Sequence, residues 1–219
     1  MELKDIRYIA VDGPIGAGKS SLARILAMDL GARPVLENPD ANPFLPAFYE
    51  SPEQFAFQTQ LYFLLSRYRQ QKDLVQPGLF DQKQVVCDYL FAKDLLFAKM
   101  NLSEEEYDLY VQIYRLLDQK LPKPNLTIYL QATPDVLHQR IHQRQKDYET
   151  GISPEYIQAV SQNYSQFFFS YTDSPLLVVN VSGIDFVHEK LDYQMLKDEI
   201  ISLIKSGKDR HYVTIMAET

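Results

Sequence analysis

Residues 6–20 read Ile6-Arg-Tyr-Ile-Ala-Val-Asp12-Gly13-Pro-Ile-Gly-Ala-Gly18-Lys19-Ser20. The first seven form an apolar strand pattern. The remainder matches the G-x-x-x-x-G-K-[ST] phosphate loop. The next ten, Ser21-Leu-Ala-Arg-Ile-Leu-Ala-Met-Asp-Leu30, are apolar at helical spacing and stop at Gly31, a left-handed cap candidate. Strand, glycine loop and helix are the context in which this motif binds nucleotides. Gly13, Gly16 and Gly18 let main-chain N–H groups turn toward phosphate oxygens, and the helix N-terminus adds partial positive charge. Pro14 has no N–H, so the donors run from Ile15 through Gly16, Ala17, Gly18, Lys19 and Ser20 to Ser21. Lys19 is the candidate for the β- and γ-phosphates, and the Ser20 hydroxyl for Mg²⁺.

Working outward, five short apolar segments read as strands: 6–12, 34–37, 84–88, 125–130 and 176–181. Helical patterns separate them, which predicts an α/β fold: a five-stranded, mainly parallel sheet with helices on both faces. Pro52–Gln71 reads as one long helix. Ser103-Glu-Glu-Glu106 is a capping box, and Thr133-Pro134 and Ser153-Pro154 each place a cap before a first-turn proline. A last helix spans about 187–206, and residues 208–219 carry no readable element. The 219 residues fit a single domain with a lid at about 140–151.

Composition narrows the function. A formal charge of −7 argues against a nucleic acid polymer as partner, because such binders carry a basic face. No membrane span or secretory leader is evident, which leads to a cytoplasmic expectation. Cys87, the sole cysteine, lies in the apolar run Val85-Val86-Cys87 and reads as an inert core thiol.

Ligands in open α/β sheets sit beyond the carboxyl ends of the strands. That rule selects Glu37 after the second strand and Asp88 at the end of the third. Phosphoryl transfer asks a protein mainly for positioning and charge compensation. Glu37 is the candidate general base for a hydroxyl acceptor, or else a structural carboxylate paired with an arginine. Asp88 reads as a Mg²⁺-supporting acid or a strand-end turn residue. Arg140 and Arg144, four apart, share a helix face from which both could close over a nucleotide and stabilise transferring charge.

With these residues in view, the chain resembles the deoxynucleoside kinases that act on deoxycytidine, deoxyguanosine and deoxyadenosine. The resemblance covers about residues 6–190. It rests on the phosphate loop, Glu37, Tyr49-Glu-Ser-Pro, Phe57-Gln-Thr-Gln60-Leu-Tyr-Phe-Leu-Leu-Ser-Arg67, Tyr129-Leu-Gln-Ala-Thr-Pro134, and the arginine lid leading to Glu149-Thr-Gly-Ile. It implies the P-loop kinase fold, ATP and Mg²⁺ as cofactors, a small-molecule deoxynucleoside as acceptor, and a homodimer. By the same resemblance Glu37 deprotonates the 5′-hydroxyl and Gln60 reads the base edge through its amide. Tyr49 and Glu149 hold the 3′-hydroxyl, and Arg67 lies near the base. Phe97 packs on the base unless it is a core residue, and Phe44 joins the substrate-binding set.

Two departures stand out. Relatives commonly carry an arginine directly after the acid at the third strand; here the residues are Asp88-Tyr89-Leu90. Lys93 could supply the missing charge as a point charge rather than a fork. An ungapped alignment also puts Lys93 where relatives have an aspartate in the base pocket. Lys146 stands where the lid often has a third arginine. The Asn38–Phe48 loop, Asp88-Tyr89 and Lys93 look most like bacterial deoxyadenosine-type kinases. The alternatives are a monophosphate kinase of the thymidylate type and a nucleotide-dependent switch protein. No Asn-Lys-x-Asp guanine-reading motif supports the switch reading.

Overall fold

The computed structural model describes residues 3–75, 84–144, 146, 149 and 151–215. The predicted lid at 140–151 therefore lies partly outside the described residues, as does the end of the tail.

The strands are β1 (Tyr8–Asp12), β2 (Arg33–Val35), β3 (Val85–Cys87), β4 (Leu126–Gln131), β5 (Leu176–Asn180) and β6 (Arg210–Thr214). The helices are α1 (Lys19–Leu30), α2 (Leu45–Glu50), α3 (Pro52–Val75), α4 (Lys93–Asn101), α5 (Glu104–Asp118), α6 (Pro134–Gln143), α7 (Pro154–Phe169) and α8 (Lys190–Ser206). The sheet order is β2-β3-β1-β4-β5-β6, and every described pairing is parallel. The sheet has six strands rather than the predicted five. The sixth is Arg210-His-Tyr-Val-Thr214, which pairs with β5 at an edge. An edge strand is wetted along one side, so it need not carry the apolar run that reveals a central strand.

Side-chain alternation divides the core. Ile9 and Val11 of β1, Leu126, Ile128 and Leu130 of β4, and Leu177 and Val179 of β5 join one apolar cluster. That cluster includes Leu22 and Leu26 of α1, Leu137 and Ile141 of α6, and Leu196 and Ile200 of α8. Tyr8, Ala10, Tyr129, Leu176 and Val178 point the other way, toward Leu96 of α4 and Val160, Tyr164 and Phe168 of α7. The period of two along buried parallel strands thus supplies both faces, as the helical intervals predicted.

Local caps fix the helix ends. Gly31, at φ 63°, closes α1, and Ser103 and Glu106 form both bonds of the capping box on α5. Ser153 Oγ accepts from Tyr156 N at 3.1 Å to start α7. Thr133 occupies the cap of α6 without a side-chain cap bond. In the phosphate loop Gly13 has φ 153°, and a Cβ there would lie 2.4 Å from the Leu130 carbonyl oxygen. Only a residue without a side chain lets β1 enter the loop so close to β4.

Candidate active site

Parallel pairing aligns the carboxyl ends of β2, β3 and β1, with Val35 opposite Cys87 and Cys87 opposite Ala10. The chain leaving each end contributes one functional group. Beyond β1 comes the phosphate loop, beyond β2 Glu37, and directly after β3 Asp88. Asp88 Oδ2 accepts from Ser20 Oγ at 2.5 Å, and its Oδ1 accepts from Glu37 N at 2.7 Å. One carboxylate therefore ties the start of α1 to the backbone that presents Glu37. Burial raises the Asp88 carboxyl pKa, opposed by the hydrogen bonds from Ser20 and the Glu37 amide.

A cavity with an empty volume of about 990 Å³, counted out to solvent at its mouth, opens beside these groups. Lys19, Ser20, Glu37 and Asp88 line it, together with Tyr49, Gln60, Arg67, Lys93, Phe97, Arg144 and Glu149. Lys19 is folded over the loop, donating to Pro14 O at 3.0 Å. Burial and the neighbouring Lys93 push its ammonium pKa down to about 8.

Glu37 sits in a dense charge cluster. Arg67 Nε donates to Glu37 Oε1 at 2.6 Å, and a second guanidinium nitrogen reaches the same oxygen. Lys93 Nζ lies 3.2 Å from Oε2. Burial alone would raise the Glu37 pKa, but Arg67 and Lys93 override it and hold the carboxyl at about 2. The other face of Arg67 pairs with Asp94, a fully buried acid.

Where the ungapped alignment set Lys93 against a pocket aspartate, the structure places an acid, Asp94, one residue further on. Lys93 faces Glu37, and the next residue supplies the acid that pairs with Arg67. Tyr89, which follows Asp88, is fully buried; its hydroxyl donates to Arg67 O at 3.4 Å. The position after the strand-end acid has thus become core, and the cation beside Glu37 comes from the first residue of α4.

Gln60, Phe63 and Arg67 lie three and four residues apart on α3 and share the face that lines the cavity. Leu64, on another face of that helix, packs with Phe91, Tyr110 and Tyr114. Glu149 is buried, burial raises its carboxyl pKa, and Arg144 lies 3.8 Å away as its ion partner.

Two predicted residues fall elsewhere. Arg140 does not share the cavity with Arg144; its guanidinium donates to Val181 O at 3.0 Å and Ile184 O at 3.1 Å. Arg144, the C-cap of α6, lines the cavity, so the two arginines serve different partners. Phe44 precedes α2 and donates its N–H to Asn42 Oδ1, while Leu45, Phe48 and Tyr49 form the wall there. Sequence reasoning also passed over Thr59, Phe63, Asp94, Tyr156 and Tyr164. Each reads as an ordinary helix residue, and only the assembled fold shows four of them on the cavity wall and Asp94 behind Arg67.

Comparison with known proteins agrees with this geometry. The profile of the deoxynucleoside kinase family matches residues 9–205. The chain belongs to the deoxynucleoside kinase family. It is 34 % identical over 201 residues to the deoxyguanosine kinase of Bacillus subtilis (strain 168), covering 90 % of this chain and 97 % of that one. It is 31 % identical over 201 residues to the deoxyadenosine kinase of Dictyostelium discoideum, covering 90 % and 80 %. Among solved structures, the deoxyadenosine kinase of M. mycoides with bound dCTP superposes with a TM-score of 0.75 at 25 % identity, covering 89 % of this chain and 99 % of that one. This deoxynucleoside kinase is accordingly an ATP-dependent transferase with a parallel α/β P-loop fold. Among its described residues, no helix is long and apolar enough to cross a membrane.

Proposed function

We propose that this kinase transfers the γ-phosphoryl group of ATP to the 5′-hydroxyl of a purine deoxynucleoside, with deoxyadenosine the preferred base. The observation that carries the reading is one cavity shared by the phosphate-loop Lys19, Glu37 and Gln60. Gln60 and Arg67 are seven residues apart on α3, roughly 10 Å along its axis. Arg67 touches Glu37. A nucleoside lying along that helix face would present its base edge to Gln60 and its 5′-oxygen to Glu37.

The roles follow from the chemistry of the groups. The loop amides and Lys19 receive the phosphates. Ser20 and Asp88, hard oxygen donors already in contact, fit Mg²⁺. When bound, the ion would neutralise phosphate charge. Glu37 takes the 5′-proton as the oxygen attacks the γ-phosphorus, and the bond from that phosphorus to the ADP oxygen breaks. Its low pKa makes it a weak base, yet it need accept only a proton that becomes strongly acidic as the oxygen–phosphorus bond forms. In a loose transition state that transfer comes late. Lys93 and Arg144 compensate charge on either side. Tyr49 and Glu149 hold the sugar and Phe97 packs on the base, roles that rest on the family resemblance. So does homodimer formation. A carboxylate at the acceptor position also disfavours an acceptor that is already a phosphate.

One feature favours a purine: relatives named for deoxyguanosine and deoxyadenosine. The decisive experiment supplies purified protein with Mg²⁺-ATP and, in parallel, deoxyadenosine, deoxyguanosine, deoxycytidine, thymidine and the corresponding monophosphates. Deoxyadenosine should show the highest kcat/KM. A preference for a pyrimidine would overturn the base assignment, and phosphorylation of monophosphates alone would overturn the acceptor class.

A further inference from the structure

Asp12 ends β1 one residue before the phosphate loop and is fully buried. Its two oxygens accept three hydrogen bonds from three different parts of the fold. Oδ1 accepts from Gly13 N at 2.7 Å and from the Tyr164 hydroxyl at 3.1 Å; Oδ2 accepts from Leu90 N at 2.9 Å. Gly13 is the first residue of the phosphate loop. Leu90 belongs to the segment that carries Asp88, and its carbonyl accepts from the N–H of Lys93 at 3.1 Å. Tyr164, on α7, lines the acceptor cavity and meets Phe97 edge-on at 5.9 Å between ring centres.

We infer that Asp12 is a positioning residue that couples occupation of the phosphate loop to occupation of the deoxynucleoside cavity. The inference rests on the reading that nucleotide and deoxynucleoside occupy these two places. The physical basis is the inventory of the contact. A carboxylate is acceptor-only, so all three donors are satisfied together. An amide of the same shape would aim an N–H at one of them. In a dry interior such a network is stiff, because losing any partner leaves a buried polar group unsatisfied. A ligand that orders Gly13 therefore also orders the Leu90 and Tyr164 ends. By linkage the effect is reciprocal: whatever the nucleotide adds to deoxynucleoside affinity, the deoxynucleoside adds to nucleotide affinity. Aspartate touches neither ligand, so it acts through the groups it holds.

The test uses Tyr164→Phe, which deletes one hydroxyl and keeps the ring, with Asp12→Asn as the second variant. Binding of the deoxynucleoside ranked first in the panel assay is measured by calorimetry with and without Mg²⁺-ADP, a pair that cannot react. Wild-type protein should bind the deoxynucleoside about 5-fold or more tightly when Mg²⁺-ADP is present. In Tyr164→Phe that ratio should fall toward 1. Turnover at saturation should drop roughly 3- to 10-fold. Asp12→Asn should lose the ratio as well and melt lower. A wild-type ratio of 1, or an unchanged ratio in Tyr164→Phe, would overturn the coupling. So would a Tyr164→Phe protein that melts lower but turns over normally. Wild-type protein inactive on every nucleoside would instead sink the reading of the cavity, a distinguishable failure.

Discussion

Lys93 Nζ lies 3.2 Å from Glu37 Oε2, while Arg67 occupies the other oxygen of the same carboxylate. The acid assigned to proton transfer is thus held between two cations, and one comes from the helix that follows β3.

Glu37→Gln keeps shape and removes the proton acceptor. The expected result is a fall in kcat of about 10²- to 10⁴-fold, the usual contribution of a positioned base. Nucleotide binding, followed by calorimetry with Mg²⁺-ADP, should change little. A variant that retains near-normal kcat would remove Glu37 from the chemistry.

Lys93→Met tests the replacement cation. Removing it takes away one of the three charges that depress the Glu37 pKa, alongside Arg67 and Lys19, so that pKa should rise from about 2 toward the ordinary carboxylate range. In wild-type protein Glu37 stays ionised throughout the folded pH range, and the kcat profile should show no acid limb from it above about pH 4. In Lys93→Met a limb should enter from the acid side, and kcat at neutral pH should fall by about 10-fold or more. Lys93→Arg should restore part of the loss. The same shift governs stability. A carboxyl depressed in the folded state contributes stability above the unfolded value of about 4.5. That contribution disappears as pH falls from there toward 2. Urea midpoints measured between pH 3 and 6 should be less acid-sensitive in Glu37→Gln than in wild type.

Gln60→Ala removes the amide but not the helix. The KM for the deoxynucleoside should rise by about 10-fold or more, and discrimination among bases should relax. The KM for ATP should stay within about 2-fold. A rise confined to ATP would displace Gln60 from base reading.

Gly13→Ala places a methyl 2.4 Å from the Leu130 carbonyl oxygen, against backbone that cannot swing aside. Unfolding free energy from urea titration should fall by at least about 2 kcal/mol, through strain at this φ and overpacking against β4. An unchanged midpoint would mean that the loop and β4 separate more easily than their packing indicates.

Five of the six strands and the three strand-end groups were legible in the sequence because each rests on a local rule. Glycine spacing marks the loop, an apolar run marks a strand, and the carboxyl end of a parallel strand marks a ligand site. The partners of Glu37 were not legible in that way. Whether Arg67 touches Glu37 or Lys93 replaces an absent arginine depends on how α3 and α4 cross the sheet, which no residue spacing encodes. Asp94 was passed over because an acid in the first turn of a helix ordinarily faces water; here it is buried against Arg67. Arg140 shows the converse. Helical spacing put it beside Arg144, but the carbonyls of Val181 and Ile184 lie within its reach and take its guanidinium instead.

The border strand Arg210–Thr214 has a practical consequence. It covers the run Leu176-Leu-Val-Val-Asn180 along one side, and Arg210 also fastens to the carbonyls of Phe169 and Tyr171 at the end of α7. A protein truncated after Gly207 would expose a flat, aliphatic margin with unpaired amides, a template on which further molecules can dock strand by strand. Shortened versions should therefore precipitate or form fibres well before their catalytic groups are disturbed.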